Sequence, residues 1–191
     1  MVGGYSESML LQDTIKQQFP HLKILVPPEA GLAVLKGAVI YGHCPSAIKE
    51  RVSKYTYGIS TTETFDKNKH PWSKRTVFSN GQTRCVDLWS VIVTAGDKLV
   101  VGEAQNERSY LPVYKDQKLL DLPIFVTSDK DPKFTTDVGS KQVGSVTVPL
   151  SGSGIDRSVG VLMIFGGTEI TVECVEKATD KITQLNIDFL M

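Results

Sequence analysis

Cysteine is scarce in this sequence, and its arrangement argues against the sites that cysteine usually builds. Cys44, Cys85 and Cys174 are odd in number and far apart in the chain. No pair has the spacing of metal ligands, and an uneven set implies no disulfide framework. This usage is typical of a reducing compartment, so we expect a cytoplasmic protein without a bound metal.

An excess of charge of either sign is absent as well. The chain carries 21 Lys and Arg against 21 Asp and Glu, which gives no reason to expect nucleic acid or an anionic membrane as a partner. The apolar runs are far shorter than the about 20 residues that span a bilayer, and no signal peptide precedes Gly3. We therefore predict no nucleic-acid partner and no membrane span, and leave the oligomeric state open.

Hydrophobic residues, at 41% of the chain, are frequent enough to build a packed core. Residues 1–52 show helical periodicity around a short apolar run. Residues 53–191 consist of short stretches rich in Val, Ile, Thr and aromatics, separated by Gly and Asn turns. We therefore predict an α+β chain, in which a partial α/β subdomain is followed by an antiparallel β-sandwich of about eight short strands.

Residues 1–52 predict two helices with a strand between them. Leu11, Ile15 and Phe19 recur at helical spacing, which places them on one face of a helix. The run "HLKILV" at 21–26 suits a buried strand. Pro28 fits the first turn of a second helix, which we expect to run through "PPEAGLAVLKGAVIYG".

The least regular part of the sequence is the segment 63–84, "ETFDKNKHPWSKRTVFSNGQTR". Its basic and turn-forming residues predict a long exposed excursion between strands. Trp72 lies within it, and tryptophan is frequent at the centres of protein contact surfaces. This excursion is therefore a second candidate surface for binding another protein.

Four stretches, taken in order, resemble one known family. "VGGYSES" and "PPEAGLAVLKGAV" resemble the end of the actin-like nucleotide-binding domain of the seventy-kilodalton heat-shock protein family. "YTYGIS" and "ITVECVEKATDKITQLNI" resemble the first strand and the closing hairpin of its substrate-binding sandwich. The second stretch, the excursion and the end at "NIDFLM" look most like the divergent, lidless member-twelve branch. The resemblance implies a chaperone-like protein, with residues 1–52 as the C-terminal remnant of the nucleotide-binding domain and residues 53–191 as the sandwich.

The resemblance implies that Gly3, Gly4, Tyr5 and Glu7 form one wall of an ATP or ADP site. Glycines before a helix N-terminus let a ligand approach backbone N–H groups. Where the family has a small serine and an adenine-stacking arginine, this chain has Tyr5, which could stack on a base, and Glu7, which could not.

The family's two phosphate-binding hairpins have no counterpart in the sequence. We therefore expect no ATP hydrolysis by this chain alone and no cofactor bound to it, because positioning of the phosphates supplies nearly all of that catalysis. ATP or ADP would be the cofactor of an intact longer chain. A fragment, a truncated product and a degenerate relative remain alternative interpretations.

The resemblance also implies a channel for an unfolded or extended apolar peptide in the sandwich. By strand order, the channel wall would draw on Val86, Leu88, Leu111, Val113, Tyr114, Leu122 and Ile124. Any sandwich buries residues of these types, so a place in the core is the competing interpretation for each of them. An alternative function is an adaptor that binds protein through the sandwich without nucleotide. A third hypothesis is a stand-alone enzyme, but the sequence contains no recognisable set of nucleophile, base or metal ligands. We therefore predict no enzymatic activity.

Overall fold

The structure, a computed structural model, describes residues 1–166 and 169–188, apart from the side chain of Ser46. The chain divides into two compact units, with the boundary between Lys49 and Glu50. Neither helix among the described residues is long and apolar enough to cross a membrane.

The first unit contains two α-helices, α1 at Met9–Gln18 and α2 at Ala33–His43. Short 3-10 turns at Gly4–Glu7 and Pro45–Ala47 precede α1 and follow α2. Ser8 caps α1, because its hydroxyl oxygen accepts a hydrogen bond from the Leu11 N–H at 3.5 Å. The side chain thereby satisfies one of the N–H groups that the first turn of a helix leaves unpaired.

Two predictions for this unit are wrong. The segment 21–26 forms no strand, and its leucines, Leu22 and Leu25, are exposed. An apolar run becomes a buried strand only beside a partner strand, and the described part of this unit supplies none. Helix α2 begins at Ala33 rather than at Pro28, because Glu29 has a φ of 55°, and an α-helix cannot continue through that left-handed conformation.

The second unit is built from antiparallel strands. The described residues form β1 (Glu50–Val52), β2 (Thr56–Thr64), β3 (Arg75–Val77), β4 (Thr83–Val93), β5 (Lys98–Val100), β6 (Arg108–Tyr110), β7 (Leu119–Thr127), β8 (Lys141–Pro149), β9 (Val159–Phe165), β10 (Glu169–Glu176) and β11 (Lys181–Asp188). They are arranged as a five-stranded sheet in the order β3-β4-β2-β7-β8, a four-stranded sheet in the order β11-β10-β9-β6, and the pair β1-β5.

The core lies between the two larger sheets. Alternate residues of β10, Ile170, Val172 and Cys174, are buried, as the period of a half-buried strand requires. The rings of Tyr57 on β2 and Phe165 on β9 meet edge to face with centroids 5.5 Å apart. Antiparallel sheets with a shared core and two helices agree with the predicted α+β class and with a β-sandwich. The actin-like character of the first unit stays a prediction.

The second unit begins at Glu50, whereas the sequence places the boundary at residue 53. Strand β1 pairs with β5, in the register Glu50 to Val100. The Ser53 N–H then donates to the Asp97 carbonyl at 2.8 Å. These pairings, which connect residues far apart in the chain, attach 50–52 to the sandwich unit.

Candidate functional site

Strands β2 and β7 pair over only part of their length. Their register runs from Thr56 opposite Thr127 to Ile59 opposite Ile124 and ends there. The next residue of β7 is Pro123, which has no backbone N–H to contribute to a ladder. The pairing of β7 with β8 continues past this point, from Ile124 to Leu119. The five-stranded sheet is therefore open between Ser60–Thr64 of β2 and Leu119–Pro123 of β7.

A cavity of about 480 Å³ occupies this opening, and we call it the β2–β7 cleft. Part of its lining is apolar and comes from β7 and from residues 111–118, which we call the cleft loop. The lining comprises Ser60, Thr61, Thr62, Phe78, Arg84, Ser90, Ser109, Tyr110, Leu111, Val113, Gln117, Leu120, Asp121 and Leu122.

The excursion and the cleft loop meet beside the cleft. The rings of Phe78 and Tyr114 are stacked, with centroids 6.2 Å apart and an angle of 27° between the planes. The Asn80 side-chain amide donates to the Val113 carbonyl at 3.3 Å. Because Phe78 and Val113 also line the cleft, these contacts bridge two of its walls.

The polar groups of the cleft are held by hydrogen bonds. The Arg84 guanidinium donates to the Thr62 hydroxyl at 2.9 Å and to the Thr62 carbonyl at 3.0 Å. The Tyr110 hydroxyl donates to Ser90 Oγ at 2.8 Å. Burial raises the pKa of Tyr110 to about 12, so its phenol is neutral at physiological pH. The cleft thus combines apolar side chains with fixed polar groups and an interrupted strand ladder, a combination suited to an extended polypeptide.

The glycine turn of the first unit lies against the segment that precedes α2. The Gly3 N–H donates to the Ala30 carbonyl at 2.8 Å, and the Gly31 N–H donates to Glu7 Oε1 at 2.9 Å. Gly3 has a φ of 97°, a conformation that favours glycine. Tyr5 is 71% exposed. The Glu7 carboxylate therefore holds the two segments together, while Tyr5 is accessible to a ligand.

The known proteins that match this chain all come from one branch of a family. No protein-family model matches the chain. Heat shock 70 kDa protein 12A of Mus musculus and of Homo sapiens are each 34% identical to it over 196 residues, and heat shock 70 kDa protein 12B of Homo sapiens is 32% identical over 202. Each match covers 100% of this chain. The chain is a homologue of heat shock 70 kDa proteins 12A and 12B.

The resemblance to the member-twelve branch that the sequence predicted is thereby confirmed. This 12A/12B homologue spans 29% of the length of these relatives. The names of the relatives support a chaperone-like family.

The seven predicted peptide-binding residues of the 12A/12B homologue occupy different environments. Leu111, Val113 and Leu122 line the cleft together. Tyr114 takes part in the bridge beside it. Leu88 lines a separate groove that also includes the 131–134 loop.

The other two predicted residues lie away from the cleft. Ile124 is fully buried in the core, where the alternation of β7 places it on the same face as Leu120 and Leu122. Val86 is half-buried and is not part of the cleft lining.

Sequence reasoning missed Phe78, Arg84 and Leu120, which line the cleft. The sequence could have indicated Leu120, because side chains on one face of a strand recur every second residue and Leu120 precedes Leu122 on β7 by that spacing. Phe78 and Arg84 carry no comparable signal, since their approach to the cleft depends on the path of the excursion. Among the residues that the structure describes, no group of three or more His, Cys, Asp or Glu side chains is arranged to hold a metal ion.

Proposed function

We propose that the second unit binds extended apolar peptide segments in the β2–β7 cleft. The observation that carries this proposal is the end of β2–β7 pairing at Ile59 and Ile124, with a cavity beyond it. Strand edges that lack a partner are templates for another extended chain. A peptide lying between them would extend the ladder, and its side chains would enter the space lined by Leu111, Val113 and Leu122.

The size of the cleft and the contacts that bridge its walls support the binding of a short peptide segment. A volume of about 480 Å³ lies within the ordinary range for ligand pockets. The bridge consists of side-chain contacts, namely the Phe78–Tyr114 stack and the Asn80–Val113 hydrogen bond. Such contacts open by local motion, so we expect rapid peptide release.

Leu111→Asp provides the direct mutational test. Leu111 is 56% exposed, so the substitution leaves the core intact while placing a charge in the cleft. We expect the affinity for a fluorescein-labelled apolar heptapeptide, measured by anisotropy, to fall about tenfold or more. Ile182→Asp is the matched control, because Ile182 is 55% exposed, lies on β11 in the other sheet and is not part of the cleft lining. Equal losses in the two variants would refute binding in the cleft.

The alternative function, a nucleotide-independent adaptor, is favoured by one observation. Trp72 on the excursion is 68% exposed, and the Arg75 guanidinium lies 5.6 Å from its ring centroid. Trp72→Ala leaves heptapeptide affinity unchanged if the cleft is the binding site. A loss of affinity in Trp72→Ala that Leu111→Asp does not show would assign binding to the excursion.

For the first unit, we propose one wall of an adenosine pocket that a longer polypeptide completes. Its supports are the backbone contacts between the glycine turn and Ala30–Gly31, and the exposed ring of Tyr5. We expect the chain alone to bind ATP too weakly for detection by isothermal titration calorimetry and to show no ATP hydrolysis. Measurable turnover that is lost in Gly4→Val would contradict this proposal.

A further inference from the structure

Arg157 is a buried arginine that binds backbone carbonyls from two segments. It is 6% exposed. Its Nε donates to the Gly154 carbonyl at 2.8 Å, and one terminal nitrogen donates to Ser151 and Gly152 at 3.4 and 3.3 Å. The other terminal nitrogen donates to Tyr114 and Lys115 at 3.5 and 2.9 Å. One guanidinium thus connects the 151–154 turn to the cleft loop.

The chemistry of these contacts requires arginine. Guanidinium is planar and presents five N–H donors in a fixed arrangement, whereas the lysine ammonium is a compact group with three. One further hydrogen bond reinforces the contact, from the Gly154 N–H to the Lys115 carbonyl at 2.8 Å. The cleft loop is therefore attached to the 151–154 turn at Tyr114 and Lys115.

The 151–154 turn is itself held by Glu176. The Glu176 carboxylate accepts hydrogen bonds from the Ser151 N–H and from the Ser151 hydroxyl, the latter at 3.0 Å. It also accepts one from the Thr179 hydroxyl in the turn between β10 and β11. A continuous set of hydrogen bonds consequently runs from this turn through Glu176, Ser151 and Arg157 to Tyr114.

We propose that Arg157 is a positioning residue that holds the cleft loop, and with it the Tyr114 ring against Phe78, and thereby sets the rate of peptide release from the cleft. The release part of this proposal rests on the proposed peptide-binding function. Arg157 itself does not line the β2–β7 cleft. Its effect passes through Tyr114, whose carbonyl it binds and whose ring forms the bridge.

The test compares the wild-type chain with Arg157→Lys and with a control for general destabilisation. Thr56→Val is the matched control. Thr56 is fully buried, and its hydroxyl donates to the Asp129 carbonyl at 2.6 Å and accepts from the Ala95 N–H at 3.0 Å, at the end of β2 away from the cleft. Both variants lose buried hydrogen bonds, but only Arg157→Lys loses those to the cleft loop.

Two readouts separate positioning from overall stability. In hydrogen exchange measured by mass spectrometry, we expect Arg157→Lys to exchange faster at residues 111–118 than the wild type, whereas Thr56→Val does not. In stopped-flow release of the labelled heptapeptide, we expect Arg157→Lys to release about tenfold faster with little change in the association rate. Thr56→Val should release the peptide at the wild-type rate.

The proposal is overturned if Arg157→Lys matches the wild type in both readouts. It is also overturned if faster exchange is spread over the sandwich in both variants alike. A wild-type chain that binds no heptapeptide would refute the proposed function and the release part of this proposal. Exchange at 111–118 would in that case still decide whether Arg157 holds the loop.

Discussion

Glu176 is a carboxylate that the folded chain holds in its charged form. It is 1% exposed, and the N–H of Ser151, followed by the Thr179 hydroxyl, lowers its pKa from the ordinary value of 4.5. A carboxylate whose folded-state pKa lies below the unfolded value contributes stability that is complete above the unfolded pKa. That contribution is lost as the pH falls through the folded-state pKa.

We therefore expect Glu176→Gln to lower the free energy of unfolding at neutral pH and to reduce its decline under acid conditions. Glutamine keeps the size of the side chain but replaces the charge and one acceptor oxygen with an amide that donates. Urea unfolding at neutral pH and at a pH below 4.5 measures both effects. Glu173→Gln is the control, because Glu173 lies on the opposite face of β10 and is only half-buried. An unchanged pH dependence in Glu176→Gln would contradict the assignment.

At the scale of the element, α1 depends on its cap. The Ser8 hydroxyl accepts a hydrogen bond from the Leu11 N–H at the start of this helix. We expect Ser8→Ala to destabilise the helix by about 1 kcal/mol, whereas Ser8→Asp keeps the acceptor. Far-ultraviolet circular dichroism during thermal unfolding measures the difference between the two variants. Equal melting of Ser8→Ala and Ser8→Asp would show that the cap contributes nothing.

The elements show which features the sequence could predict. The period-two pattern of the sequence indicates the burial of alternating strand residues such as Ile170 and Val172. Helical spacing places Leu11 and Ile15 on one face of α1, but both are only half-buried there. "HLKILV" has the composition of a strand, but the described residues of the first unit include no strand with which it could pair. Helix α2 starts late because Glu29 adopts a left-handed conformation, which no pattern around it indicates.

The candidate site was predictable only in part, for a related reason. Leu111, Val113 and Leu122 lie in two stretches that strand order places together, and they do meet in the cleft. Ile124 shares the same stretch, but it lies in the part of β7 that still pairs with β2. Leu122 lines the cleft, but it is 3% exposed and belongs to the core as well. Where the ladder between the two strands ends is a tertiary property, and it decides which of the core-facing residues of β7 also border the cleft.

At the scale of the whole molecule, the first unit exposes many apolar side chains. Leu10 on α1 and Leu35 and Ile40 on α2 are among them. Large exposed apolar surfaces are typical of protein contacts, and the relatives are much longer than this chain. We propose that a longer polypeptide covers these faces.

Self-association tests this surface. We expect the chain to associate in a concentration-dependent manner in size-exclusion chromatography with light scattering, because exposed apolar side chains favour burial. Leu35→Lys combined with Ile40→Lys should reduce this association without lowering the melting temperature, since both side chains are exposed. A chain that remains monomeric at every concentration would contradict this view of the first unit.

The central claim is that an extended peptide binds between β2 and β7. The most direct measurement is hydrogen exchange of the full chain, followed by mass spectrometry, with and without the apolar heptapeptide. The claim predicts new protection at Ser60–Thr64 and at Leu119–Leu122, because the peptide would pair with the strand edges left open beyond Ile59 and Ile124. Protection confined to residues 65–77 around Trp72, or no protection at a saturating peptide concentration, would contradict it.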